Sequence, residues 1–94
     1  MMIRSFLPVG QGAFYCEQFG GFAETERVNI IYDCGSSTNV KLVEEQIKNN
    51  FQKNEIIHAV FISHLDNDHI NGIPFLLKYC KVKKIFFPLL TESN

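Results

Sequence analysis

The sequence lacks several features that would point directly to a class of function. Nine Lys and Arg residues are balanced by ten Asp and Glu residues, so the basic excess of a dedicated nucleic-acid-binding domain is missing. No uncharged apolar run approaches the roughly 18 residues that a membrane-spanning helix needs. Residues 1–14 form too short and too polar a stretch for a secretory signal. We therefore expect a cytoplasmic protein with no membrane segment in this chain.

Cysteine is scarce, and its spacing is uninformative for cross-links. Cys16, Cys34 and Cys80 are odd in number, widely separated and without a C-x-x-C pair. This pattern fits neither a disulfide framework nor a zinc knuckle. We expect three buried free thiols in a reducing compartment.

The composition that remains is that of an ordinary globular chain. Hydrophobic residues make up 46% and charged residues 20% of the 94 positions, which excludes a disordered tail and a collagen-like repeat. A chain of this length holds one domain at most.

The first third of the chain predicts an antiparallel β-meander. Residues 3–8 and 13–19 are rich in aromatic and β-branched side chains, and residues 28–33 (VNIIYD) form a third such run. Gly10-Gln11-Gly12 separates the first two runs, and glycine reaches the positive φ values that tight turns require. The pattern predicts a hairpin followed by a third strand.

After Gly35 the hydrophobic period changes from that of a strand to that of a helix. Apolar residues recur on one helical face at Val40, Val43, Ile47 and Phe51. Residues 36–39 offer several N-cap candidates for this helix.

The rest of the chain predicts alternating strands and helices. Residues 56–63 form a near-continuous apolar run that is typical of a strand covered on both faces. A helix over about 70–79, with Pro74 in its first turn, and a strand over 83–88 follow. We expect Phe51, Phe61, Phe86 and Phe87 in the core. The fold class is α/β, an antiparallel β-meander followed by a right-handed βαβαβ segment.

Four potential metal ligands stand within six residues, between the predicted strand 56–63 and the next helix. They are His64, Asp66, Asp68 and His69. Open α/β sheets bind their ligands where strands end in this way. Adjacent carboxylates and imidazoles repel or compete for protons, and a divalent cation offsets that cost. The cluster predicts a metal site.

Two other interpretations of the cluster explain less. A polar loop that caps the next helix accounts for Asp68, as N-cap or first-turn acid, but not for the other three residues. A calcium-binding EF-hand loop that starts at Asp66 would have Ile70 at its fifth and Leu77 at its twelfth position, where acidic or amide ligands are required. The H-E-x-x-H zinc helix is also absent from the sequence.

The segment Ser63–Gly72, S-H-L-D-N-D-H-I-N-G, resembles the H-x-[HD]-x-D-H signature of the metallo-β-lactamase superfamily. Asp33 in IIYDCG resembles the early aspartate of that family, which supports the site structurally. Val9-Gly10-Gln11-Gly12 is similar to the opening of the branch that contains the hydrolase domain of the DNA-uptake competence proteins. The resemblance implies that residues 1–94 are the N-terminal portion, about half, of an αββα sandwich.

The resemblance also implies a role for each residue of the cluster. His64 and Asp66 would hold the first of two divalent metal ions, and Asp68 and His69 the second. Asp68 would also be catalytic, because it orients the water that the metals activate for hydrolysis. Asp66 replaces the more common histidine with a hard oxygen ligand, so manganese rivals zinc. No substrate-binding residue is assigned.

The function expected from this resemblance is a metal-dependent hydrolase of phosphodiester or nucleic-acid substrates. Two alternatives stay open: a non-catalytic fragment or binding module that reuses the fold, and a small-molecule thioester or lactam hydrolase. The cluster supplies at most two ligands per metal, whereas catalytic zinc normally has three. A half-sandwich would also expose a sheet edge and face, and we expect these to favour a homodimer.

Two weaker candidates lie outside the signature. His58, within an apolar run, is expected to be a core or surface histidine rather than a ligand. A basic cluster follows the last predicted helix at Lys78, Lys81, Lys83 and Lys84. It either interacts with the C-terminal end of the helix dipole or contacts phosphates.

Overall fold

A computed structural model describes residues 2–20 and 27–88 of the chain. Its first three strands, β1 (Met2–Phe6), β2 (Gly12–Phe19) and β3 (Val28–Ser36), pair antiparallel, so the predicted meander is confirmed. The turn between β1 and β2 contains Gly10 at φ 73°, a conformation that glycine adopts at little cost.

Helix α1 (Val40–Asn50) begins and ends close to its predicted bounds. Asn39 is the N-cap, and its side-chain oxygen accepts a hydrogen bond from the backbone N–H of Lys41 at 2.9 Å. Val43 and Ile47 are fully buried on the face that the apolar spacing predicts. The helix therefore covers one face of the sheet.

The second part of the chain alternates short strands and helices, as the sequence predicts. The elements are β4 (Ile56–Ile57), β5 (Ala59–Phe61), α2 (Asn67–Ile70), α3 (Ile73–Tyr79), β6 (Lys81–Val82) and β7 (Ile85–Phe86). The main sheet has the strand order β1-β2-β3-β5-β7, in which β5 is parallel to both neighbours. Strands β4 and β6 pair parallel in a separate two-stranded sheet. The α/β class is confirmed.

Three predicted elements differ in their extent. The apolar run 56–63 is divided at His58, where the chain passes from the small sheet to the main one. The helix predicted over 70–79 is two helices, because the chain turns at Gly72, whose N–H donates to the carbonyl of Cys34 at 2.8 Å. Pro74, which has no N–H, lies in the first turn of α3 as predicted. The last strand is confined to Ile85–Phe86.

The core of the described chain lies between the main sheet and the helices. Its fully buried members include Ile31 and Val60 from the sheet and Val43, Ile47 and Leu76 from the helices. The three cysteines are free and buried, as predicted.

The opposite face of the main sheet carries a row of aromatic side chains. The row, one ring from each strand, is Phe6, Tyr15, Tyr32, Phe61 and Phe86, with successive ring centroids 4.5–5.6 Å apart. Phe61 is 36% and Phe86 46% exposed. The prediction that strand 56–63 is covered on both faces is therefore wrong for Phe61, because no described residue packs over this face. The same holds for Phe86 and Phe87 as core residues, whereas Phe51 is buried as expected.

Within residues 2–20 and 27–88, every helix is too short or too polar to cross a membrane.

Candidate metal centre

The four ligand-type residues follow the C-terminal end of β5. His64 and Asp66 are exposed on the loop, whereas Asp68 and His69 lie half-buried on the single turn of α2. This is the location that the sequence predicts for a site. The neighbouring strand β3 ends beside the loop and contributes Asp33.

Asp33 reaches the site because of a bulge in β3. The register with β2 passes from Tyr15 opposite Tyr32 to Phe14 opposite Cys34, so Asp33 is an extra residue without a partner in the ladder. Its φ of 60° lies in the left-handed region, which Asp and Asn enter more readily than most side chains. The residue is only 8% exposed. The bulge thus takes a buried carboxylate out of the strand alternation and directs it at the loop.

The carboxylate of Asp33 holds two residues of the signature segment. Its Oδ1 accepts the backbone N–H of Ser63 at 2.8 Å, and its Oδ2 accepts the Ser63 hydroxyl at 2.6 Å. Nδ1 of His69 lies 3.2 Å from the same Oδ2. This distance suits an ion pair, but the atoms are not aligned as a hydrogen bond, and the buried Nδ1 has no hydrogen-bond partner among the described residues.

His69 connects Asp33 to the other ligand-type residues. Its Nε2 lies 4.0 Å from Oδ2 of Asp68, and its ring centroid is 5.0 Å from that of His64. The structure therefore brings His64, Asp68 and His69 to one side of the loop. Within the described ranges, however, no three His, Cys, Asp or Glu side chains converge closely enough to hold a metal ion.

Helix capping does not account for the acidic residues of the loop. Asp66 occupies the N-cap position of α2, yet its side chain makes no capping hydrogen bond. Asp68 lies in the first turn, where a carboxylate interacts favourably with the helix dipole. Capping thus explains at most Asp68.

Two contacts that the sequence did not reveal place α2 against β3. Asn71 pairs with the backbone of Ser36: its Oδ1 accepts the Ser36 N–H at 2.9 Å, and its Nδ2 donates to the Ser36 carbonyl at 2.6 Å. A side chain at Gly35 would lie 2.6 Å from the backbone carbonyl of Asp68, so only glycine permits this approach. The Asp-Cys-Gly sequence near the end of β3 is the signal that relates to the second contact. No comparable signal identifies Asn71.

His58 and two lysines of the basic cluster lie at the end of the parallel strands opposite to the metal-ligand loop. Nδ1 of His58 accepts the backbone N–H of Asn29 at 3.1 Å, so this histidine links β3 to the start of β5, away from the loop. It lines a cavity of about 260 Å³ together with the ion-paired Arg27 and Glu55, whose closest atoms are 2.6 Å apart. The exposed Lys83 and Lys84 precede β7 at this same end. Lys83 and Lys84 therefore do not flank the metal-ligand loop.

A groove of about 500 Å³ lies on the other side of Asp33. The turn between β1 and β2 forms one wall, and Tyr15 and Tyr32 of the aromatic row form another. Burial of its ring and its hydrogen bond to Glu17 raise the pKa of Tyr15. The groove joins the buried carboxylate to an apolar surface.

The family model of the metallo-beta-lactamase superfamily matches residues 18–92, which are most of the chain. The chain belongs to the metallo-beta-lactamase superfamily. The predicted superfamily is thereby confirmed, and its members generally use divalent metal ions, commonly zinc. The narrower resemblance to the competence branch stays a prediction.

Two curated relatives in the superfamily are similar to parts of the chain. A ribonuclease Z from Ignicoccus hospitalis is 39% identical over 57 residues, which are 61% of this chain and 17% of the relative. A ribonuclease Z from Sulfolobus acidocaldarius is 34% identical over 74 residues, which are 78% of this chain and 24% of the relative. The chain thus spans less than a quarter of the length of either ribonuclease.

A solved structure shows the metallo-beta-lactamase fold. A motif mutant of a metallo-beta-lactamase from Cronobacter sakazakii aligns with a TM-score of 0.52 and 19% identity, over 81% of this chain and 29% of that protein. The α/β arrangement, with a meander that leads into parallel strands, is therefore that of part of a metallo-beta-lactamase fold.

The donor set at the loop fits the divalent ions of the superfamily. Imidazole nitrogen suits zinc, and carboxylate oxygen suits zinc or manganese. Nδ1 of His69 is buried 3.2 Å from Asp33, a position from which a carboxylate can orient an imidazole.

Proposed function

We propose that this chain contributes the first part of a dinuclear metal site that hydrolyses phosphodiesters in nucleic acids. The observation that carries the proposal is the set of contacts between Asp33 and the signature segment. The Asp33 carboxylate accepts two hydrogen bonds from Ser63, and its Oδ2 lies 3.2 Å from Nδ1 of His69. A loop with merely a solubilising role needs no buried carboxylate at its base.

Each ligand-type side chain has a part in this proposal. His64 and Asp66 bind one metal ion, while Asp68 and His69 bind the other. Two ions held there, zinc or manganese, would lower the pKa of a bound water and neutralise charge on the phosphate. Asp68 would accept a hydrogen bond from that water and orient it towards phosphorus. Asp33 keeps the imidazole of His69 oriented.

The nucleic-acid substrate is supported by the relatives and is compatible with the surface beside the site. Both curated relatives named above are ribonucleases. The groove next to Asp33 exposes Tyr32, and aromatic rings stack on bases without regard to sequence. The net charge of −1 leaves the metal ions as the main source of positive potential for a phosphate.

Metal binding by the chain and hydrolysis by the longest natural protein that contains it test the proposal together. The variant with His64→Ala and Asp68→Ala is expected to lose zinc or manganese binding in calorimetry and nuclease activity on single-stranded RNA. The matched controls are His58→Gln and Glu45→Gln, which change a histidine and a carboxylate away from the loop. If the double variant hydrolyses RNA as fast as the controls, the assignment of the site is wrong.

A binding module that reuses the fold is the second candidate. Four ligand-type side chains on one loop provide two ligands per ion, fewer than the three of a catalytic zinc. If the chain takes up no metal and the full protein binds RNA without cleaving it, this candidate replaces the first. Thioester or lactam hydrolysis is the lesser alternative, and the same full protein assayed on those two substrate classes decides it.

A further inference from the structure

Ser63 lies between the buried carboxylate and the first histidine of the signature. Its backbone N–H and its hydroxyl both donate to Asp33, at 2.8 Å and 2.6 Å. An ionised carboxylate only accepts hydrogen bonds, so the single hydroxyl proton of Ser63 is committed to Asp33.

The same hydroxyl oxygen is 3.0 Å from Nδ1 of His64. Since its proton already points to Asp33, the Ser63 oxygen acts towards His64 as an acceptor. Nδ1 of His64 must then carry the imidazole proton, and Nε2 keeps its lone pair.

We propose that Ser63 is a positioning residue that relays the charge of Asp33 to His64 and fixes its Nδ1–H tautomer. The carboxylate of Asp33 thereby sets the tautomer of His64 through the serine hydroxyl, and it also lies 3.2 Å from Nδ1 of His69. Nε2 of His64 is left as the metal-binding nitrogen. The role rests on the proposed metal site, but the tautomer itself is a property of the metal-free chain.

A purely structural Ser63 would make the same two hydrogen bonds to Asp33 without affecting the imidazole. The two roles differ in what happens to His64 when the hydroxyl is removed. His58 provides an internal reference, because its Nδ1 accepts the Asn29 N–H and it must therefore be the opposite, Nε2–H tautomer.

The experiment is long-range ¹H–¹⁵N correlation NMR on the metal-free chain with ¹⁵N-labelled histidine, at about pH 8, where an ordinary imidazole is neutral. In the wild-type chain we expect His64 as Nδ1–H and His58 as Nε2–H. Ser63→Ala should release His64 into a mixture of tautomers, and Ser63→Thr, which keeps the hydroxyl, should restore Nδ1–H. His58 should not change in either variant, and its unchanged signal shows that the strands still pair.

Zinc titration by calorimetry provides the second readout. Ser63→Ala should weaken binding by about 10–100-fold, the range for lost outer-shell partners, and Ser63→Thr should bind nearly as the wild type does. A wild-type His64 in the Nε2–H form, or a tautomer that Ser63→Ala leaves unchanged, overturns the relay. A chain that binds no zinc contradicts the proposed function instead, and the tautomer measurement still decides the role of Ser63.

Discussion

The Oδ2 atom of Asp33 lies 3.2 Å from Nδ1 of His69, and this approach joins a bulge in β3 to the single turn of α2. The two residues are 36 positions apart in the chain. The pair shows how a strand of the sheet contributes to the position of His69, which the signature identifies only by its place in the sequence.

Asp33→Asn is expected to weaken metal binding while the fold persists. Asn also tolerates the left-handed backbone of position 33, so the bulge is retained. The amide carries no charge and orients the imidazole of His69 poorly, so we expect zinc affinity to fall about 10–100-fold in calorimetry. Glu45→Gln, which removes a carboxylate from the exposed side of α1, is the matched control. Equal affinities for the two variants would contradict a supporting role for Asp33.

Gly35→Ala should displace α2 from β3. The added methyl group would lie 2.6 Å from the backbone carbonyl of Asp68, which cannot move without the helix. We expect a loss of about 1–3 kcal/mol in the free energy of unfolding, measured by urea denaturation. The largest amide shifts in NMR should fall at residues 66–71. Glu45→Gln, at an exposed position on α1, should change neither quantity, and shifts spread evenly over the chain would argue against a local displacement.

The three buried thiols are expected to react slowly, and the folded chain is expected to lose stability in alkaline solution. Burial raises the pKa of Cys16 and of Cys80 from 9.0 to about 11, and burial also raises that of Cys34. Iodoacetamide at about pH 8 should therefore leave the native thiols unmodified, because the thiolate is the reactive form.

The pH dependence follows from the same shifts. Between pH 9 and about 11 the folded chain keeps thiol protons that the unfolded chain has released, so rising pH favours unfolding. The stabilisation is fully present below pH 9 and is lost as the pH rises through the folded value. Urea midpoints should accordingly be lower near pH 10 than near pH 8. Rapid alkylation of the native chain at pH 8 would refute the buried, protonated state.

The aromatic row predicts that this chain alone pairs with a second copy. Contiguous exposed apolar surface on a soluble protein commonly marks an interface. Arg4 and Glu17 share this face as an ion pair, so two copies can meet without a net repulsive charge. In analytical ultracentrifugation we expect a dimer that Phe61→Ser with Phe86→Ser converts to a monomer. Phe87→Ser, at a more exposed residue outside the row, should leave the dimer intact. A monomeric wild-type chain would rule out this pairing.

Local pattern predicted the segment that holds the candidate site and most elements of the fold. The 3.6-residue spacing of Val43 and Ile47 predicted α1, and ligand-type residues after an apolar run predicted the loop. The roles of His64, Asp66, Asp68 and His69 in metal binding stay predictions that the experiments above test. Ser63 and Asn71 were not singled out as site residues, because a serine before a histidine and an asparagine in a turn are common in any polar segment.

The sequence by itself determined the α/β class and the family and predicted the segment of the candidate site, since periodicity and ligand spacing are local properties. The tertiary structure decided which atoms meet: Asp33 with Ser63 and His69, and Gly35 with the backbone of Asp68. It also decided that Phe61 is exposed, although its run is apolar. Because positive charge and cysteine pairs are scarce, the proposed function depends on a few side chains. Their relationship depends on a bulge and on the packing of β3 against α2, which are long-range contacts that no local pattern encodes.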